Sequence, residues 1–215
     1  MDNVSYPIKL IDHVRYPNNF MRYDPSHKKE AREKILSAVG RGFRTSGFGG
    51  IGVDALAKEA GVTSGAFYGH FASKSAAFEA AAVAGLVELR QAIESLRANE
   101  AESWLGQFAD FYLSTKRTCH LGESCALQSL TAEVARAGRK TKEAYEEELL
   151  RVVEALAAGL PQGGPAARRK TAWAILAILS GGVSLSRATN DPAIGEQIAA
   201  AIKTAVMASV TLDAS

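Results

Sequence analysis

Apolar side chains return along this chain every three or four residues, which is the period of a helix and not of a strand. The first such stretch is "SHKKEAREKILSAVGRGFRTSG". It sets Ala31, Ile35, Leu36, Val39 and Phe43 on one side, with Lys28, Lys29, Arg32 and Arg41 largely elsewhere, and Ser26 stands where an N-cap belongs. "VDALAKEAG" predicts a short helix with Val53, Leu56, Ala57 and Ala60 inward and Asp54 in its first turn. "VTSGAFYGHF" predicts another, capped by Thr63, with Val62, Ala66, Phe67 and Phe71 inward. Ser73 caps a long helix reaching about Arg97, whose stripe is Phe78, Ala82, Leu86, Leu89 and Ile93.

The rest of the chain repeats this pattern with short breaks. "SWLGQFADFYLSTK" carries the densest aromatic cluster, Trp104, Phe108, Phe111 and Tyr112, and "SCALQSLTAEVARAG" spaces Leu127, Leu130, Thr131 and Val134 on one face. "KTKEAYEEELLRVVEALAAGL" is amphipathic and is ended by "PQGGP". Two last helices follow, "ARRKTAWAILAILSGGVSLSRA" and "PAIGEQIAAAIKTAVMASV". The first of them is apolar nearly all round and predicts burial on most sides. Residues 1–25 lack periodicity and read as an extension, either an arm or a start placed too far upstream.

One local match points elsewhere. "GFGGIG", residues 47–52, has the spacing G-x-G-x-x-G of a dinucleotide site. That site needs a strand before the glycines and a helix after them. Here an amphipathic helix precedes, so the nucleotide reading fails. The glycines form a helix–helix connection, with Gly47 ending one helix and Gly52 capping the next.

Two short helices around Gly61 are the pattern of a helix-turn-helix. The outward positions of the second helix are Thr63, Ser64, Gly65, Tyr68, Gly69 and His70, small or hydrogen-bonding residues suited to a major groove. Lys74 follows in the first turn of the next helix, where a phosphate meets free N–H groups. Over about residues 28–80, and most specifically in "GVTSGAFYGHFASK", the chain resembles the DNA-binding domain of the TetR (tetracycline repressor) family of bacterial regulators. The resemblance implies that Tyr68 packs on a DNA phosphate, that His70 and Lys74 sit on the backbone, and that Thr63, Ser64 and Gly65 approach base edges or neighbouring phosphates. Ile51 and Gly52 depart from the family, which usually opens the second helix with Thr or Ser. That hydroxyl contact is missing here, leaving the Val53 N–H as donor.

The resemblance also implies how the remaining helices are used. The last two helices of the family form a four-helix dimer interface, for which Ala174, Ala177, Ser180, Gly181 and Ser184 permit close approach and Ile194, Ile198, Ile202, Ala205 and Val206 supply apolar surface. The family's body holds a largely apolar cavity. Trp104, Phe108, Phe111, Tyr112, Gln128, Tyr145 and Trp173 are the candidate lining, with ordinary core packing as the competing reading of each.

Composition adds three constraints. The formal net charge is +2, but residues 21–74 carry +4 and residues 75–215 carry −2, a mildly basic head on a mildly acidic body. Two cysteines form no disulfide scaffold, no apolar run has the length of a membrane span, and no signal peptide opens the chain, which together predict a cytoplasmic protein. "CHLGESC" places Cys119, His120 and Cys125 at a spacing that is wrong for a zinc site. Cys125 beside a helix N-terminus has its thiolate stabilised, which makes Cys119 and Cys125 candidate redox or electrophile sensors, against inert burial as the alternative.

The expected fold is therefore all-α. An N-terminal three-helix domain with a helix-turn-helix (residues 26–72) precedes a C-terminal helical ligand-binding and dimerisation domain (residues 73–215). The expected function is a homodimeric repressor that binds a palindromic operator in double-stranded DNA and is released by a small, mostly apolar effector. No cofactor, metal, membrane partner or enzymatic activity is expected, since none of the four histidines has a nucleophile or carboxylate partner in a recognisable motif. Two rival readings remain open: a thiol sensor using the same head, and a helical binding protein whose head no longer binds DNA.

Overall fold

The computed structural model describes residues 25–100, 103–161 and 163–210, with side chains from residue 29 onward. The reading of residues 1–24 and the Lys28 side chain lie outside this range. Every regular element among the described residues is a helix. In chain order they are α1 (Pro25–Gly50), α2 (Val53–Glu59), α3 (Ser64–His70), α4 (Lys74–Asn99), α5 (Trp104–Leu113), α6 (Thr115–Thr118), a 3-10 turn (Leu121–Glu123), α7 (Ala126–Arg136), α8 (Arg139–Ala157), α9 (Pro165–Arg187) and α10 (Pro192–Ser209). The class is all-α, as the periodicity predicts. Because α1 starts at Pro25, Ser26 falls inside its first turn and not at the cap position expected for it.

Gly47 breaks α1 with a φ of 70° and ψ of 171°, a conformation that costs an L side chain but not glycine. A Cβ there would also lie 2.9 Å from Glu133 Oε1 of α7. Beyond the break, Phe48 turns back so that Phe43, Phe48 and Phe78 form a three-ring cluster, with both rings of α1 5.2 Å from Phe78 of α4. Ala31, expected inward, is exposed, because the packed face of α1 begins at Ile35.

The long helix α4 joins the head to the body and packs most extensively on α8, then on α1, α5 and α7. Its expected stripe, Phe78, Ala82, Leu86, Leu89 and Ile93, is buried throughout. The α4–α8 contact holds one charge in the core. Glu148 is 2% exposed. Its carboxylate accepts from Arg90 Nε of α4 at 2.7 Å and from Arg151 Nη1 at 2.9 Å.

The small residues of α9 divide between two partners. A Cβ on Gly182 would lie 1.9 Å from Ile202 Cδ1, so this glycine lets α10 approach within the same chain. The next glycine back, Gly181, has nothing within 4 Å. Within the single chain α9 is covered on one side, and Ala174, Ala177, Gly181, Ser184 and Leu185 form an open face. On α10, Val206 is buried and Ile198 and Ile202 are half-buried, because all three turn toward the chain's own core. Ile194 and Ala205 stay exposed.

Burial alone pushes the Glu148 carboxyl up, but the hydrogen bonds and charges of Arg90 and Arg151 outweigh it and hold the group below its ordinary range. A depressed carboxyl stabilises the fold fully above the unfolded value of about 4.3 and loses that contribution as pH falls through the folded value. Glu148→Gln should therefore cost about 2 kcal/mol at neutral pH in urea titrations. The cost should shrink below pH 4; a pH-independent difference would mean that the charge is not what matters.

Candidate nucleic-acid interface and effector pocket

Helix α2 ends in a Schellman turn. Val62 N–H donates to Ala57 O at 2.9 Å and Gly61 N–H to Lys58 O at 3.0 Å, with Gly61 at a φ of 67°. Thr63 then opens α3, its hydroxyl accepting from Ala66 N–H at 3.1 Å. One fully buried side chain, Phe67, anchors α3, and its ring meets that of Phe71 at 5.3 Å. Arg32 of α1 lies over Phe71, 5.7 Å from the ring centroid. Helix α3 is thus fixed along a single line of contact, and the rest of it faces out.

Thr63, Gly65, Tyr68 and Gly69 are exposed, Tyr68 at 55%, while Ser64 and His70 are half-buried. Ala66, expected inward, is exposed as well, because a seven-residue helix resting on Phe67 and Phe71 has no second inward row. Ser64 is not free: its hydroxyl donates to Asp54 Oδ1 at 2.5 Å and ties the start of α3 to the first turn of α2. Lys74 opens α4 behind the Ser73 cap, which accepts from Ala76 N–H at 3.1 Å. Its ammonium sits 4.6 Å from the centroid of Phe48, an attraction of about 0.5–1 kcal/mol at such a site. The outward residues of α3 and the first turn of α4 follow one another along the exposed edge of the head.

In the body, α4, α5 and α7 enclose a cavity of about 180 Å³. Gly85, Leu89 and Ala92 supply the α4 wall, Phe108, Phe111 and Tyr112 the α5 wall, and Ser124, Cys125 and Ala126 the entry to α7. Glu88, Phe111 and Lys116 stand at its mouth, the first two exposed and Lys116 half-buried. Three of the candidate lining residues, Phe108, Phe111 and Tyr112, therefore meet here. The other four do not. Trp104 is buried at the far end of α5 and donates its indole N–H to Gly159 O at 3.2 Å. Tyr145 is buried against α7, its hydroxyl bonded to Thr131 at 2.7 Å. Gln128 points to Ser184 of α9. Trp173 lies on the open side of α9, 38% exposed. An aromatic residue in an apolar run signals burial or an interface but not which cavity it borders.

Residues 35–81 match the family model of bacterial regulatory proteins, tetR family. Over that stretch the chain is similar to the DNA-binding domain of the TetR family. The solved structures agree on the fold. A TetR-family regulator from Cytophaga hutchinsonii superposes with a TM-score of 0.70 at 19% identity, over 86% of this chain and 97% of the other. A TetR-family regulator from Streptomyces coelicolor gives 0.70 at 18% identity, over 87% and 97%. The reduced form of E. coli NemR gives 0.66 at 22% identity, over 81% and 96%. At these identities the likeness is one of fold. No curated protein matches the chain.

The "CHLGESC" segment does something its composition does not announce. It runs from the pocket to the DNA-binding head. Lys116 Nζ donates to Glu123 O at 2.9 Å, and Arg44 Nε of α1 donates to Gly122 O at 2.7 Å. Arg41 lies 4.0 Å from the carboxylates of both Glu123 and Glu59. The signal for this contact was absent from the sequence, since Arg44 and Gly122 are far apart and neither residue type marks such a pairing.

The thiols need a correction. Cys125 is buried at the start of α7, and burial pushes its thiol up. That effect exceeds the opposing contributions of Tyr112, the Leu127 and Gln128 N–H groups and Lys116, so the expected stabilised thiolate is not found. Cys119 is half-buried, its sulfur 3.4 Å from Arg187 Nη2. His120 Nδ1 accepts from Gly122 N–H at 3.2 Å. Among the described residues no three His, Cys, Asp or Glu side chains gather as a metal site, and no helix is long and apolar enough to cross a membrane.

Proposed function

We propose that this TetR-family regulator is a repressor that binds a palindromic operator as a homodimer and leaves it when a small, mostly apolar molecule enters the pocket between α4, α5 and α7. One observation carries the reading: the segment that walls the pocket at Lys116 and Ser124–Ala126 also holds α1 of the DNA-binding head, through Arg44 and Gly122. An occupant that displaces this wall acts on the head without touching it.

The DNA contacts proposed are Thr63, Gly65 and Tyr68 on the exposed edge of α3, with His70 and Lys74 on the phosphate backbone. Ser64 acts differently, by orienting α3 through Asp54. The open face of α9 and the exposed side of α10 support a dimer, since Trp173, Leu185, Ile194 and Met207 together leave a large apolar surface facing solvent in one chain. Two heads per dimer supply two half-sites. Thiol sensing is the weaker reading, because Cys125 is buried and held in its neutral form.

Three measurements test this function. Lys74→Ala should weaken binding to operator and random DNA alike and lower the salt slope by about one unit. An unchanged slope with altered base preference would assign Lys74 to base reading instead. Arg44→Met keeps the aliphatic stem but loses the bond to Gly122. It should reduce operator affinity about tenfold with the salt slope intact, since hydrogen bonds to charged groups contribute about 1.5–3 kcal/mol. A lowered slope would show that Arg44 contacts DNA directly. Ala177→Arg, on the open face of α9, should convert a dimer to a monomer in sedimentation velocity at micromolar concentration. A wild-type monomer in the same run removes the palindromic operator from the proposal.

A further inference from the structure

The effector pocket proposed above has a feature that narrows the chemistry of its occupant, and the inference rests on that pocket being the effector site. Its volume of about 180 Å³ is close to that of apolar cavities of roughly 150 Å³ that take one benzene ring. The lining is aromatic and aliphatic apart from Glu88, Lys116, Ser124, Cys125 and the Tyr112 hydroxyl. Glu88 and Lys116 stand at the mouth with opposite charges. Ser124 is engaged, its hydroxyl bonded to Leu121 O and Ser129. Cys125 is a thiol, a weak partner at best.

The exception is Tyr112. Its ring lines the pocket, and the residue is 1% exposed. Its hydroxyl is sealed from solvent and makes no well-formed hydrogen bond; it meets only the Cys125 thiol beside it, a weak partner. The other phenol beside it, Tyr145, is occupied by Thr131. A buried hydroxyl without a partner costs about 1–3 kcal/mol relative to a satisfied one.

We infer that the effector is a neutral, single-ring molecule carrying one hydrogen-bond acceptor, such as an aryl ketone, and that the acceptor is recognised by the Tyr112 hydroxyl. The ring lies between Phe108, Phe111 and Leu89. Tyr112 donates its O–H to the carbonyl oxygen once the wall at Ser124–Cys125 gives way. Neutrality follows from the mouth, where a carboxylate ligand would gain Lys116 but face Glu88. The sealed position gives the bond its regulatory value. In the closed form the hydroxyl is out of reach, so the acceptor binds only the form in which the wall has moved, and a ligand shifts an equilibrium only through such differential binding. That wall is the one joined to Arg44 through Gly122.

The test uses the full chain without DNA, so that its failure is separate from failure of the repressor reading. Acetophenone, its methylene isostere α-methylstyrene and benzoate are titrated by calorimetry into wild type, Tyr112→Phe and Ala92→Leu. Wild type should bind acetophenone more tightly than either of the others. Tyr112→Phe should weaken acetophenone about tenfold, the size of one hydrogen bond, and leave α-methylstyrene unchanged. Ala92→Leu, which fills the cavity, should lose both while keeping the thermal transition of wild type. The ligand-free Tm of Tyr112→Phe should equal or exceed that of wild type, because the variant removes a buried hydroxyl whose one neighbour is a weakly bonding thiol. A lower Tm would show that the hydroxyl already has a partner and would overturn the inference. Equal acetophenone affinity in wild type and Tyr112→Phe, tightest binding of benzoate, or no binding of any probe to wild type would overturn it equally.

Discussion

Gly85 is the position on which the arrangement of this molecule turns. A Cβ there would lie 2.3 Å from the Cβ of Ala126 and 3.6 Å from Nη1 of Arg44. Helix α4, the first residue of α7 and the last turns of α1 therefore converge on one missing side chain. Any other residue would force α7 away from α4 and open the pocket that Gly85 itself lines. Arg44, whose bond to Gly122 ties the head to the pocket wall, lies at ordinary contact distance from the same point. Contacts this close are not continuously deformable, so a disturbance at one of the three elements is passed to the others in discrete steps.

The sequence made some of this plain and hid the rest, and the difference follows from range. The helix-turn-helix is a local object. The Schellman turn at Gly61, the Thr63 and Ser73 caps and the Phe67–Phe71 anchor all involve residues a few positions apart. The same is true of the "GFGGIG" break, where Gly47 takes a left-handed φ. Periodicity also located the buried stripe of α4. It failed at Ala31 and Ala66, which have the right spacing but lie where no neighbouring element comes close enough to cover them.

Long-range pairings left no such trace. Trp104, Tyr145 and Trp173 look alike as aromatic residues in apolar helices, yet one is bonded to Gly159, one to Thr131, and one lies on an open face. Gly181 and Gly182 are neighbours in the chain with opposite surroundings. The 3.6-residue turn rotates successive residues by about 100°, so one meets Ile202 and the other meets nothing within its own chain. Small residues announce close approach, but only the path of the backbone decides what approaches.

The energies involved are small enough for these contacts to govern function. A tenfold change in DNA affinity corresponds to about 1.4 kcal/mol, while a hydrogen bond from a charged donor is worth about 1.5–3 kcal/mol. On the proposed repressor reading, the single bond from Arg44 to Gly122 is therefore large enough to shift DNA affinity about tenfold. Glu148 between Arg90 and Arg151 fixes α4 on α8. A buried ion pair is a poor source of net stability but severe toward misplacement, since moving either partner leaves a charge unpaired. On the opposite side of α4, Gly85 and Ala92 border the pocket, and the tight approach of Gly85 to Ala126 passes any shift there to α7.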